Sequence, residues 1–358
     1  MVKRSWVEIN MDVLASNYHI YQTQMAADQE IMAVVKADAY GHGDVQTAEK
    51  LQELGCKNFA VSNIEEAIKL REANIAGQIL ILGYTPVSCA CDLTKYDLTQ
   101  ALLSEDYAER LKGRAIKAQF ALDTGMNRIG LDADFPDECE RNIRKYASSF
   151  ILTGLFTHLC AADTESQKEF TDLQIAKFKA VTDRLNDLKL PYIHCMNSAG
   201  GLWCKPYGNL VRLGIILYGL KPDYTNSLPK GIKPVLEWKS VISMIKTLQP
   251  GETVGYGRTF TAQKETTVAT VSVGYADGYN RLLSNKGKVF INGKPAPIIG
   301  RVCMDQLMVD VTGIDAAFED EVILLGEGYD ADDMAQDIGT IGYEVVCNIS
   351  KRVTRQFK

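Results

Sequence analysis

The chain has 358 residues, of which 46% are hydrophobic and 23% charged, and a formal net charge of −6 at pH 7. That length suits two domains, or one barrel with an extension, and the acidic balance leaves no basic stripe for a nucleic acid. The longest apolar runs, such as LVRLGIILYGL, are short or interrupted by charge, so no segment reads as a bilayer span. The opening MVKRSWVEIN lacks the apolar centre of a signal peptide. Nine cysteines are scattered without a framework; Cys89 and Cys91 stand two apart, a spacing that suits neither a redox pair nor a zinc knuckle. They read as reduced thiols used as small apolar residues, and the expected compartment is the cytoplasm. With four histidines and no cluster at ligand spacing, no metal site is expected.

In chain order, SWVEINMDVLASNYHIYQTQM gives a short strand and a helix, and the strand can belong to either domain. Strand candidates then follow at residues 31–36, 58–63, 78–84, 98–103, 116–122, 151–158, 192–198 and 211–218. Helical stretches lie between several of them. DVQTAEKLQELG closes on a glycine, and NIEEAIKLREANIAG starts behind an asparagine cap with carboxylates in its first turn. SQKEFTDLQIAKFKAVTDRLNDLK repeats apolar residues three and four apart. Eight strands in βα alternation predict an α/β chain whose N-terminal part is a (β/α)8 TIM barrel rather than an open doubly wound sheet. After about residue 230 the texture changes to β-branched segments between Gly, Pro and Asn turns, interrupted by one helical pattern, DADDMAQDIGT. This predicts a mainly antiparallel β C-terminal domain, and the expected division is 1–230 and 231–358.

Chemistry in such barrels gathers at the carboxyl ends of the strands. Lys36 ends the first run, MAVVKADAYGHG; His158 and Ser198 end later ones, Arg212 is embedded in the last, and Arg128 follows the fifth through DTGMNRIG. Singly, each is an ordinary rim charge or packing residue. Together they are the parts needed to hold an anionic, phosphorylated carbonyl cofactor.

AVVKADAYGHG resembles the pyridoxal-phosphate attachment motif of the alanine racemase family. DTGMNRIG, FTHLCAAD, CMNSAG, VRLGIILYG, VGYGRTF, VGYADGYNR and GRVCMDQLMVDV follow in the family's order and spacing, across essentially the whole chain. The resemblance implies that Lys36 carries pyridoxal 5'-phosphate as a Schiff base and, once released by substrate, acts as one of two bases. The second is Tyr256 of the VGYG turn, whose phenol needs nearby positive charge to serve as a base. In this family that tyrosine reaches the cofactor of the other subunit, so a head-to-tail homodimer with composite sites is implied. Arg212 matches the arginine facing the pyridine nitrogen, donating a hydrogen bond without a proton, and His158 matches its buttress. Tyr40, Ser198, Gly214 and Ile215 match the phosphate cradle, with Asn197 and Leu82 as neighbours of the cofactor. Arg128 matches the arginine near the cofactor phenolate and the substrate carboxylate. Met304, from the partner chain, is implied to orient that carboxylate, and Tyr275, Asp305 and Arg281 to line the entry channel.

Two positions depart from the pattern. Ala121 stands where many members carry a carbamate-modified lysine that orients the arginine at 128. Lys351, in NISKRVTRQF, stands where a tyrosine usually touches the phosphate and walls the substrate pocket. Lys351 retains a point charge for the phosphate but removes the aromatic wall, which predicts room for a larger or hydroxylated side chain. The expected activity is two-base interconversion of L- and D-alanine, supplying D-alanine for bacterial peptidoglycan. A serine or broad-specificity racemase is the alternative within the class, and a non-catalytic pyridoxal-phosphate carrier the alternative outside it. Such carriers lack the β domain and its VGYG tyrosine. Type III amino-acid decarboxylases share the architecture but differ in their motifs.

Overall fold

The computed structural model describes residues 4–223 and 227–358, so the first three residues of MVKRSWVEIN lie outside it. Two compact units divide the chain: one holds residues 15–217 and 222–232, the other residues 1–14, 218–221 and 233–358. The expected division at 230/231 therefore shifts at two places. The opening strand and the short stretch after the last barrel strand both group with the β unit, because their backbone bonds go there.

In the first unit, eight strands lie side by side: Glu30–Val34, Asn58–Val61, Gln78–Ile81, Thr99–Leu102, Lys117–Asp123, Ile151–Phe156, Tyr192–His194 and Leu210–Leu213. All neighbouring pairs are parallel, and Leu210–Leu213 returns to pair with Glu30–Val34. A parallel bridge between Met196 and Val211 brings the seventh strand to the eighth, nearly closing the barrel. Such strands are covered on both faces, hence fully buried runs such as NFAV and LVRL. Helices cover the outside. Ile64–Glu72 begins as its cap predicts, with the Asn63 side chain accepting from the Glu66 N–H.

Several strands are shorter than their apolar runs. The first stops at Val34, so Lys36 stands two residues beyond it rather than on it. The last stops at Leu213 and continues as a 3-10 turn over Ile215–Tyr218, leaving Gly214 in the bend.

The second unit is an eight-stranded sheet organised by the long strand Leu236–Leu248, whose burial alternates along its first half. Ser5–Ile9 pairs antiparallel with it and parallel with the closing strand Thr354–Phe357; the remaining ladders are antiparallel. Trp238 and Tyr279, both fully buried, pack with ring centres 5.7 Å apart in its core. Two helices interrupt the strands, Ala331–Ile338 and Gly342–Cys347, where the sequence indicated one. The second is six residues long, too short to show a 3.6-residue period.

Candidate active site

At the carboxyl end of the first barrel strand the chain turns abruptly. Ala37, Asp38, Ala39 and Tyr40 all take the left-handed helical conformation, with φ of 54°, 56°, 52° and 54°. None is glycine, and each costs roughly 1–2 kcal/mol in that region. Strain of this kind persists only where its surroundings hold it, and it clusters at functional sites. Here the Gly41 and Gly43 N–H groups donate to the Ala37 and Asp38 carbonyls at 3.0 and 2.8 Å. The His42 ring nitrogen Nδ1 lies 3.0 Å from both the Ala39 and Tyr40 carbonyl oxygens. Asp38 accepts from the Asp44 N–H at 3.2 Å, and Lys69 pairs with both carboxylates. Asp38 and His42, motif residues with no evident chemistry of their own, thus brace the turn that presents Lys36 and Tyr40.

Opposite this turn, the Ser198 hydroxyl accepts the Gly214 N–H at 2.8 Å. A Cβ on Gly214 would stand 2.8 Å from the Tyr40 hydroxyl and 3.7 Å from that of Ser198, so glycine leaves open the space between them. Two hydroxyls and the backbone of a strand-to-turn bend, its Gly214 N–H held by the Ser198 oxygen, form an oxyanion cradle. Ile215 begins the turn behind it. The Asn197 amide donates to the Leu159 carbonyl at 2.9 Å and accepts from the Gly200 N–H at 2.8 Å, fixing the loop that carries Ser198.

Arg212 is 4% exposed. One terminal nitrogen donates to His194 Nδ1 at 2.9 Å and to the His194 carbonyl at 3.2 Å. The other reaches the Thr157 carbonyl at 2.6 Å, the Cys195 carbonyl at 3.3 Å and His158 Nδ1 at 3.3 Å. Among the described residues no carboxylate pairs with it. Burial, reinforced by the neighbouring Arg128 charge, pulls the guanidinium down to about 10, so it remains a cation at neutral pH. Burial and then the Arg212, Arg128 and Lys36 charges push His158 down to about 3, and burial with Arg212 holds His194 well below its ordinary range. Both imidazoles are neutral. Since a guanidinium only donates, His194 Nδ1 accepts, and its Nε2–H donates to the Gln119 side-chain oxygen at 2.7 Å.

His158 was the expected buttress of Arg212, but the closer imidazole is His194, which the sequence reading did not single out. A signal was available: in YIHCMNS, alternation puts His194, Met196 and Ser198 on one strand face, and a histidine there asks for a buried partner.

Arg128 is exposed and makes no hydrogen bond or ion pair among the described residues, although its charge is felt at both His158 and Arg212. Ala121 is buried with Ala101 and Phe156, flanked by Leu82, Leu103 and Ile129, so this apolar cluster offers Arg128 no polar or charged side chain.

The other candidates lie in the β unit. Tyr256 is 72% exposed, in a tight turn between Gly255 and Gly257, both at positive φ. Together with Cys303, Gln306, Met244 and Met308 it lines a cleft of about 460 Å3. The Tyr275 and Ala276 N–H groups donate to the Cys303 and Met304 carbonyls at 3.0 Å each. Arg352 bridges Asp305 (2.7 Å) and the buried Asp277 (3.0 Å), which Arg4 also pairs. Arg281 is close enough to act on the Cys303 thiol, which burial pushes up and the arginine pulls back. Lys351, next to Arg352, is exposed. Tyr256, Tyr275, Arg281, Met304 and Asp305 are thus linked through the Cys303–Gln306 loop and its surroundings, within a unit that does not contain Lys36.

The carboxyl mouth of this barrel thus gathers a lysine, a buried arginine with no carboxylate partner among the described residues, and a pair of hydroxyls around a strand-to-turn bend. Residues 9–222 match the alanine racemase N-terminal domain and residues 235–357 the alanine racemase C-terminal domain. A relative from Clostridium acetobutylicum described as alanine racemase 1 is 42% identical over 99% of this chain and 96% of its own length. The solved alanine racemase of Clostridium difficile superposes with a TM-score of 0.94 at 37% identity, covering all of this chain and 96% of that one. That of E. faecalis gives a TM-score of 0.94 at 33% identity over 99% and 98% of the two chains. The chain belongs to the alanine racemase family.

Proposed function

We propose that this protein is a pyridoxal 5'-phosphate-dependent racemase that interconverts L- and D-alanine by two-base proton transfer. The observation that carries the reading is the convergence, at one barrel mouth, of Lys36, the neutral-histidine-bound Arg212 and the Tyr40–Ser198–Gly214 cradle. The residues fit the cofactor. The space that a Cβ on Gly214 would fill suits a phosphate, and an arginine without a carboxylate partner suits a ring nitrogen that must not be protonated.

Bound there, the cofactor supplies an electron sink for the charge that develops at the substrate α-carbon. Lys36 would hold it covalently and, when free, would hold or remove the α-proton on one face. Arg212 would donate to its pyridine nitrogen but, remaining a cation at neutral pH, would give up no proton; His194 and His158 hold the arginine in place. Tyr40, Ser198 and the backbone of Gly214 and Ile215 bind the phosphate, with Lys351 adding charge, while Asn197 and Leu82 shape the walls. Arg128 orients the substrate carboxylate. Tyr256 serves the opposite face, and with Met304 it comes from the second copy of a head-to-tail homodimer, where Tyr275, Asp305 and Arg281 line the entrance. None of the nine cysteines forms a disulfide, which supports a reducing, cytoplasmic setting, and D-alanine supply for peptidoglycan is the role that fits.

Lys36→Ala tests the attachment: the visible absorbance of the bound cofactor disappears while the fold persists. Tyr256→Phe tests the faces, and α-proton exchange from L-alanine falls far more than from D-alanine. Equal loss from both enantiomers refutes the assignment of the two bases. A circular-dichroism panel over L-amino acids ranks alanine against serine.

A further inference from the structure

The left-handed turn after Lys36 is anchored from outside the motif. Glu66 is the third residue of the helix that follows the second barrel strand, behind its Asn63 cap. At that position a glutamate ordinarily reaches back to the N–H of its own cap residue. Here it does not. One carboxylate oxygen accepts the Ser62 N–H at 2.7 Å, and the other accepts the Ala37 N–H at 2.8 Å, across from the neighbouring βα unit. Ala37 is the first of the four left-handed residues, directly after Lys36. Its N–H is held by an ionised acceptor, and such bonds are stronger and shorter than neutral ones.

We propose that Glu66 is a positioning residue for Lys36 and Tyr40: its carboxylate fixes the start of the left-handed turn, setting the direction of the lysine before it and of the phosphate-binding tyrosine three residues after. The bond fixes the Lys36–Ala37 peptide plane; turning that plane would carry the Ala37 N–H away from Glu66 and re-aim the chain that leads from Lys36 to Tyr40. The carboxylate thus stabilises the one backbone conformation that serves the cofactor, and its loss lets the strained turn relax to cheaper ones. This rests on Lys36 carrying the cofactor, so borohydride reduction and peptide mapping of the unaltered protein come first. Label on any residue other than Lys36 overturns that reading and the proposal with it.

With Lys36 labelled, three variants isolate Glu66. Glu66→Ala removes both acceptors and weakens pyridoxal phosphate binding, followed by visible absorbance and by release to an acceptor apoenzyme, by about tenfold or more. Glu66→Gln keeps one acceptor, gives an intermediate value and serves as the readout if the alanine variant does not fold. Asn63→Ala removes the cap of the same helix and leaves both carboxylate bonds; it lowers the melting temperature but leaves cofactor affinity within about twofold of the unaltered protein. Cofactor affinity unchanged in both Glu66 variants, or lowered equally by Asn63→Ala, overturns the proposal.

Discussion

His194 makes the barrel sensitive to acid in a way that can be calculated. Its ring is fully buried, with Arg212 on Nδ1 and Gln119 on Nε2, and burial beside a guanidinium holds its proton affinity well below the ordinary histidine value. Its folded affinity is depressed, so below pH about 6.5 the unfolded chain takes up a proton that the folded chain does not. Stability is therefore lost as pH falls. Between pH 6.5 and 4.5 one such group costs about 2 kcal/mol, a sizeable part of the roughly 5–15 kcal/mol that holds a typical protein folded. His158, pushed down to about 3 but nearer the mouth of the barrel, adds a smaller cost of the same sign. His194→Asn keeps an acceptor for Arg212 and removes the titration. Urea unfolding at both pH values, at equal cofactor loading, should show the unaltered protein losing about 2 kcal/mol more than the variant across that interval. An equal loss in both refutes the assignment of His194 as a buried neutral ring.

Asp332 predicts the opposite sign. It is buried, one oxygen accepts the Lys221 N–H at 2.9 Å, and the other has no hydrogen-bond partner among the described residues and faces Gly342; burial raises its carboxyl to about 6. Its folded affinity exceeds the unfolded value, so stability is lost as pH rises from about 4 to 6. Asp332→Asn should then gain up to about 3 kcal/mol at pH 7 and little at pH 4, as read by chemical denaturation. Gly214→Ala places a methyl 2.8 Å from the Tyr40 hydroxyl. Pyridoxal phosphate affinity should fall about tenfold, with pyridoxal, which lacks the phosphate, little changed; equal losses for both count against a phosphate cradle. Lys351→Tyr restores an aromatic wall, and the serine-to-alanine ratio of kcat/KM should fall about tenfold. An unchanged ratio sinks the pocket role of Lys351.

The eight barrel strands were legible because their chemistry is local: short apolar runs, several of them followed by helical stretches, repeat at a βα period. The ends of those strands were not. Lys36 read as the tip of a strand because MAVVK is continuous in character, whereas the chain leaves the ladder at Val34 and turns left-handed through Ala, Asp, Ala and Tyr. Among these only aspartate has any preference for that region, so the turn is imposed by Glu66, His42 and the following glycines, contacts that no propensity encodes. The extra helix at Gly342–Cys347 escaped for a related reason, being too short to be periodic.

The site residues divide along the same line. Lys36, Ser198 and Arg212 stood out because a polar side chain at the end of an apolar strand has few places to go. His194 and Gln119 sit deeper in equally apolar strands, where a polar residue matters only through a partner far away in sequence; the two are 75 residues apart. That separation is also why they belong together. A guanidinium buried without a carboxylate needs neutral acceptors on every side, and in a barrel those can come only from the neighbouring strands and from layers below. The depth of the polar chain from Arg212 through His194 to Gln119 is thus a consequence of keeping a cation at the mouth that gives a hydrogen bond and keeps its proton.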